Sequence, residues 1–524
     1  MKIRPVNENE MSEKKKVIIN LFSIIMVFIF NTGITFFLSP YIIRTVGIEA
    51  NGFVHLSSNF VSYISLITIA LNFMSGRFIT IAIVKGDIEK ATSYYTSVFW
   101  ANIILFCFML VPMSLVIVNL DLLIDIPINL VNDIKLLFGF AFISLIASNI
   151  LSLWNNIFYV VNRLYLQHIG SLIATFIRVT LLIFLFYLFS PKVWYVTLAS
   201  MVIVPIVAIW GLWNKNRFLP DLKVNNKYFS FFHLKEIISS GLWRSILITG
   251  EMLLSGLDLL ICNLFINPTI MGILALSKTI PTLILHLSDV ISNSFTPKML
   301  INYAKDEKDV MWADLKRAFK LTAIIGTIPT GGFIIFGFEF YRLWVPSQDT
   351  EMLYLLSVVT CIVMVILTGS YPSGQIFTVV NKIKPLALTY VLGGIINILL
   401  IFIFIRHTDF GVYAIVGINV LIALMRNICY SIPVSARYLG FKWYKFYIGV
   451  LYSITASTIV IIIGLIVKTV HAPKNWLEFF ISCFITGILT IITESFIMFN
   501  GQERSEIINI IKSKLRRKKK QWKG

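Results

Sequence analysis

Fourteen apolar runs govern what this 524-residue chain can fold into. Each is about 20 residues or longer, the length an α-helix needs to cross the hydrocarbon core of a bilayer. They occupy positions 17–40, 52–84, 93–118, 134–161, 169–189, 193–213, 237–265, 269–300, 318–341, 353–380, 385–405, 411–434, 446–467 and 476–499. Strands of a membrane barrel would alternate apolar and polar residues over about ten positions, and these runs do not. With 57% hydrophobic and 14% charged residues, the chain also lacks the polar exterior that a water-soluble fold of this size requires. The expected fold is an all-α polytopic membrane protein with fourteen transmembrane helices in a phospholipid bilayer.

The net charge of +19 could suggest a nucleic-acid partner. The basic residues, however, sit between spans and in a tail, Arg516–Lys520, rather than on one soluble face, so no nucleic acid is expected. If the N-terminus is cytoplasmic, the outer connections hold only Arg44, Lys135, Lys192, Arg342, Arg406, Lys468 and Lys474 of the 45 Lys and Arg. Five more lie deep inside spans, and the rest fall at or beyond the inner ends of the spans, which is the positive-inside pattern. Both termini are therefore expected in the cytoplasm of a cell membrane. The longest outer connection, 119–133, has room for a re-entrant or surface helix and nothing larger. The five cysteines lie in apolar runs without CxxC or metal-ligand spacing and read as small buried hydrophobes.

The chain repeats itself. FYVVNR at 158–163 and FTVVNK at 377–382 stand 219 positions apart. At that offset Arg178 falls on Asn397, and Val193-Trp194 on Val412-Tyr413. GFVHLS at 52–57 and GILALS at 272–277 match at an offset of 220. Each repeat holds six spans, an even number, so the two six-helix bundles are related by a pseudo-two-fold axis along the membrane normal. The expected organisation is a cytoplasmic segment (1–16), a first lobe (17–213), a cytoplasmic linker (214–236), a second lobe (237–434), two extra helices (435–499) and a basic cytoplasmic tail (500–524). Paired bundles of this kind rock about a central cleft to give alternating access, so transport is the expected function.

Ionisable groups within a bilayer are costly and usually face a bundle interior or a pathway. Five cations (Arg77, Arg178, Arg244, Lys278, Arg426) outnumber the carboxylates Glu251, Asp258 and Asp289. A net-positive cavity favours anionic cargo, and arginine binds phosphate through paired hydrogen bonds. For each cation a structural salt bridge or snorkelling to the surface is an equally open reading, most of all for Arg77 and Arg244. Asn31 and Asn59 suit a hydrated wall of the cavity. In span 7, Arg244, Glu251 and Asp258 are spaced by seven and should share one stripe. Span 8 runs antiparallel and carries Lys278, His286 and Asp289, which places three polar rungs across the hairpin: Arg244–Asp289, Glu251–His286 and Asp258–Lys278. A D258C/K278C pair should cross-link under mild oxidation, and a pair that stays reduced would remove the rungs. Asp258, with Asn397, is also a candidate to bind Na⁺ or a proton for coupling.

Several segments carry a family resemblance. They are RTVGIEANGFVHL at 44–56, LDLLICNLFINPTIMGILALSKTI at 257–280, SFTPKMLINYAKDE at 294–307, GFEFYRLWVP at 337–346 and FTVVNKIKPLALTYVLGGIINILLIFIF at 377–404. In their order and spacing the chain resembles bacterial polysaccharide-export flippases of the multidrug/oligosaccharidyl-lipid/polysaccharide exporter superfamily. The resemblance covers nearly the whole chain. It implies a flippase in the bacterial cell membrane that moves a polyprenyl-diphosphate-linked oligosaccharide from the inner to the outer leaflet for surface polysaccharide biosynthesis. It also implies work beside a polysaccharide polymerase and assembly machinery. No cofactor is expected, in keeping with the lack of a GxxxxGK[ST] motif.

The alternatives are a cation-coupled multidrug antiporter or a lipid II flippase of the same superfamily. The antiporter would have twelve spans and a cavity suited to cations, so the extra helices and the cationic balance weigh against it. An enzyme is disfavoured, because the six histidines are scattered and neither HExxH nor GxSxG occurs.

Overall fold

The computed structural model describes residues 13–161, 163–501 and 503–505, and all regular structure among them is helical. The basic tail at Arg516–Lys520, most of the N-terminal segment and Asn162 of the first FYVVNR motif lie outside the described residues.

The first helices are α1 (Glu13–Thr45), α2 (Ile48–Val84) and α3 (Ile88–Val118). A surface turn, α4 (Leu120–Leu123), precedes α5 (Val131–Val160), α6 (Leu164–Leu188) and α7 (Tyr195–Phe218). Then come α8 (Phe231–Glu251), α9 (Asp258–Phe265), α10 (Pro268–Ser277), α11 (Thr279–Ser294) and α12 (Thr296–Ala304). The remainder comprises α13 (Lys308–Trp344), α14 (Thr350–Leu367), α15 (Pro372–Val379), α16 (Ile383–His407), α17 (Val412–Arg426), α18 (Ile432–Tyr438), α19 (Ile448–Val470) and α20 (Trp476–Met498). Among the described residues, 13 helical stretches are long and apolar enough to cross a membrane. The first predicted span lies within α1, whose 33 residues exceed the crossing length.

Side-chain caps start the helices where the sequence supplies Asp, Ser or Asn. Asp87 accepts from the Lys90 amide at 2.9 Å, Asp349 from Met352 at 3.0 Å and Asn475 from Glu478 at 3.0 Å. The Asn of FTVVNK ends its helix in the left-handed region, with Asn381 at φ 56°. The connection at 119–133 holds a short surface helix, α4, followed by a 3₁₀ turn at Ile128–Leu130. Asn263 pins it to α9 by donating to the Asp125 carbonyl and accepting from the Asp125 amide, both at 2.9 Å. Lys135 lies 2.6 Å from Asp121, and its hydrogen bond holds that carboxyl below the usual carboxylate range. The cysteines depart from expectation. Cys262 and Cys361 are buried, but Cys107 and Cys429 stand at the protein surface. An apolar solvent removes the penalty that would drive a thiol inward.

By packing, the helices form two compact units. This partition differs from the repeat-based lobes, which describe sequence kinship. Unit 1 runs to Leu276 and takes in Ile383–Ile415. Its core holds Leu71, Tyr94, Val98, Ile157, Phe158 and Ile237, with α2 packed on α3, α5 and α8. An amide cluster crosses this core: Asn72 and Asn102 exchange hydrogen bonds, and Asn149 accepts from Asn72 and Thr68, both at 3.2 Å. Each amide of the cluster thus meets another.

The repeat is visible in unit 1 as a contact between equivalent residues. A Cβ on Gly52 would lie 2.8 Å from the Gly272 Cα, and one on Gly272 would lie 2.4 Å from the Ile48 carbonyl oxygen. Only glycine permits that approach. Beside it, Thr269 donates to Glu49 at 2.7 Å. Both pairs, Gly52 with Gly272 and Glu49 with Thr269, are 220 positions apart, the offset of the repeat.

Unit 2 holds Ser277–Lys382 and the described residues from Val416 on. Its spine is α13, against which α14, α19 and α20 pack. Ion pairs clasp the two added helices, α19 and α20, to this spine at both ends. Lys468 sits 2.8 Å from Glu339 and also donates to the Ile335 carbonyl, while Arg342 donates to the Pro473 carbonyl at 3.3 Å. At the other end Lys320, nearly fully buried, lies 2.7 Å from Glu503, which is partly exposed. Burial opposes the charge on Glu503, yet hydrogen bonds from Lys320 and the Asn500 amide hold its carboxyl below the usual range.

The sign of the linkage follows. The clasp contributes fully above the ordinary glutamate range and is lost as pH falls through the depressed value. Removing its two partners should have unequal effects. Glu503→Ala strands a buried ammonium and should cost about 3 kcal/mol, whereas Lys320→Met leaves a carboxylate that can turn to water and should cost less. Thermal unfolding of the two variants in one detergent checks the order.

Candidate functional site

The predicted span 7 is not one helix. After Glu251 the α8 ladder widens into a π-turn, Met252–Gly256, and α9 begins at Asp258. A π-turn adds one residue to the turn and swings whatever follows by roughly 100°. Arg244 and Glu251 keep their shared stripe on unbroken α8. Asp258 does not, which corrects the seven-and-seven reading. Burial agrees: Glu251 is exposed, whereas Asp258 is 1% exposed.

Side chains from two other helices hold the π-turn. Asn59 and Tyr63, one turn apart on α2, both donate to the Gly256 carbonyl, at 3.1 and 2.5 Å. From α16, Asn397 donates to the Leu254 carbonyl at 3.0 Å. Carbonyls displaced from the regular ladder thus meet amide and phenol donors instead of lipid. Glycine lets α16 come this near. A Cβ on Gly394 would meet the Leu253 Cβ at 2.4 Å, and one on Gly250 would meet the Tyr390 Cβ at 2.6 Å. Lys384 adds a cation–π contact with Trp243 at 5.0 Å.

Asp258 stands at the first residue of α9, where the helix dipole favours negative charge, and within electrostatic reach of Tyr63. The result is an intramembrane polar site of a buried carboxylate, two amides, a phenol and the π-turn carbonyls. Oxygen ligands of this kind suit a hard cation, and the carboxylate equally suits a proton. Among the described residues no three His, Cys, Asp or Glu side chains come together as a metal-binding group.

The other anticipated residues lie on several helices of the two units. Arg178 is half-buried in the middle of α6, and its Nε is buried without a hydrogen-bond partner among the described residues. Arg77 is exposed on α2, seven residues before the helix ends. Arg426 closes α17 immediately before a second π-turn, Asn427–Ser431. Lys278 occupies the break between α10 and α11, and His286 and Asp289 are exposed and three apart on α11. Breaks in both predicted spans 7 and 8 mean that the rise per residue is not constant along either, as the rung register assumed. Asn31 turns its amide onto its own helix, donating to the Val27 carbonyl at 3.0 Å. Tyr63 was not anticipated; its spacing of four from Asn59 is the signal that finds it.

An all-helical fold of two compact units, with broken helices and buried polar groups, is shared with solved structures of MOP-superfamily transporters. The chain superposes on a multidrug resistance MATE family transporter of the MOP superfamily in its inward-facing conformation with a TM-score of 0.62; the two are 14% identical, and the match covers 85% of this chain and 98% of that one. On the lipid II flippase MurJ in an inward closed conformation the TM-score is 0.55, with 16% identity over 88% of this chain and 98% of MurJ. By sequence, the chain is 25% identical over 442 residues to the uncharacterized membrane protein EpsK of Bacillus subtilis (strain 168), across 84% of this chain and 87% of that protein. No family model matches the chain.

Proposed function

We propose that this protein is a flippase that carries a polyprenyl-diphosphate-linked oligosaccharide repeat unit from the inner to the outer leaflet, for surface polysaccharide biosynthesis, by alternating access. The observation that carries the reading is Arg178, a cation in the middle of a membrane helix whose Nε is buried without a protein hydrogen-bond partner among the described residues. An intramembrane guanidinium of this kind suits an anionic cargo that supplies the missing acceptors, and a diphosphate does so with paired oxygens. Arg77 and Arg244 extend the positive character along α2 and α8. The sugar head crosses the polar interior while the polyprenyl tail stays in lipid. Asp258, with Asn59, Tyr63 and Asn397 around the π-turn, binds the coupling Na⁺ or proton. The termini lie in the cytoplasm, where assembly enzymes deliver the cargo.

The fold likeness to a MATE transporter supports a second reading, a cation-coupled multidrug antiporter. One experiment separates the two: mass spectrometry of lipid-linked intermediates in cells with and without the gene. Accumulation of one complete polyprenyl-diphosphate oligosaccharide on deletion supports the flippase. An unchanged lipid pool with altered sensitivity to cationic dyes supports the antiporter.

A further inference from the structure

The two added helices contain a buried acid that transport of a lipid-linked sugar does not use. Glu494 on α20 is 0% exposed, and both its carboxylate oxygens are buried without a hydrogen-bond partner among the described residues. Ser482, Thr486 and Thr490 precede it at intervals of four, so all four side chains lie on the face that packs on α13 and α19. The Thr486 and Thr490 hydroxyls are likewise buried without partners among the described residues. Elsewhere on this helix Thr493 and Ser495 satisfy their hydroxyls on the carbonyl four residues back, so the two bare threonines stand out.

The charged groups around this seam are already committed. On α13, Lys320 pairs with Glu503 at 2.7 Å, and Arg317 also acts on Glu503. On α19, Tyr452 lies under the Lys320 ammonium at 5.9 Å. Beyond α20, Arg504 covers the Phe496 ring at 4.8 Å. Toward the other end, Glu339 is taken by Lys468, and Glu478 lies 3.2 Å from His471. Packed about the C-terminal end of α20 are Ile324, Ala456, Met498 and Phe499, all apolar. An ionised carboxylate in such a place would lack both a counter-charge and a donor, a cost of several kcal/mol that neutralisation removes.

We propose that Glu494, with the Thr490 and Thr486 hydroxyls, forms a proton-binding site in the seam between α20, α13 and α19, the neutral acid being its resident form. Loading adds one proton to the carboxylate, drawn from water at the C-terminal end of α20, four residues or about 6 Å away. No other reactant is needed. With the proton bound, the hairpin of α19 and α20 stays closed on α13. Once it leaves, the stranded charge draws water into the seam or parts the helices. The site is separate from Asp258 and does not depend on the identity of the cargo.

The purified full-length protein in detergent is treated at neutral pH with dicyclohexylcarbodiimide, to which a protonated carboxyl in apolar surroundings adds to leave a stable N-acylurea, and is mapped by peptide mass spectrometry. The expected result is an adduct on Glu494 and none on Glu503, fading as pH rises and absent from Glu494→Gln. An unmodified Glu494 overturns the proposal. Thermal unfolding provides a second readout. Glu494→Gln mimics the neutral acid and should match the parent only below the ordinary glutamate range, while the parent alone loses stability as pH rises from that range toward the alkaline side. A Gln variant that fails to fold, or that shares the parent's alkaline loss, overturns the proposal as well.

Discussion

A Gly272→Leu variant is expected to unfold well below the parent and to lose nearly all activity in a cell-based complementation assay. The Cβ that any larger residue brings would sit 2.4 Å from the Ile48 carbonyl oxygen, a backbone atom that cannot swing aside. The N-terminal ends of α2 and α10 must then separate, and overpacking of this kind costs about 1–3 kcal/mol or more. Gly52→Leu acts on the same contact, so the double variant should cost less than the two singles added. Gly139, which has open space around its missing Cβ, is the control: Gly139→Ala should leave the unfolding temperature unchanged or slightly raised. Equal losses at Gly139 and Gly272 would show that the contact between the repeat-matched glycines is not special.

The second large effect is expected at the π-turn. Asn397→Leu removes the donor to the Leu254 carbonyl and leaves a buried acceptor in low-dielectric surroundings, at a cost of about 1–3 kcal/mol. Asp258→Asn keeps the shape of the side chain but removes its charge. Under the proposed coupling role it should reduce cargo translocation tenfold or more and abolish its dependence on Na⁺ or on a pH gradient, with little change in unfolding temperature. The two variants therefore fail differently, one through the turn and one through the charge. Translocation measured in reconstituted vesicles with and without each gradient distinguishes them. A normal gradient response in Asp258→Asn would remove the coupling role.

Much of this was legible in the chain. Run length alone requires the helices, because lipid offers no other partner for backbone groups, and Gly52 and Gly272, matched at the offset of 220, meet in a close contact. Asp258, Asn59 and Asn397 stood out as polar residues in apolar runs, and the structure brings all three to one turn. Tyr63 did not stand out, since a tyrosine in a membrane helix usually needs no polar role. The π-turn was hidden because GEMLLSGLD reads as ordinary helix: its widened ladder depends on donors from α2 and α16 that no local pattern displays. Glu494 stands five residues before the end of the last apolar run, where position alone puts a charge within reach of water, and only the packing of α20 shows it sealed from water. Hydrophobic period fixes which residues face inward, but not which partner they meet there.

The meeting of Glu49 with Thr269 has a consequence for how such a chain can be built. In a dimer of two identical halves, a residue on the axis faces its own copy, so a glutamate there would confront a second glutamate and repel it. Fusion of the halves into one polypeptide lifts that restriction, because the two copies of a position can then differ. A carboxylate on one side and a hydroxyl on the other form a donor–acceptor pair that glutamate facing glutamate, both ionised, could not form. The seam between the repeats is thus a place where single-chain construction permits chemistry closed to a symmetric assembly.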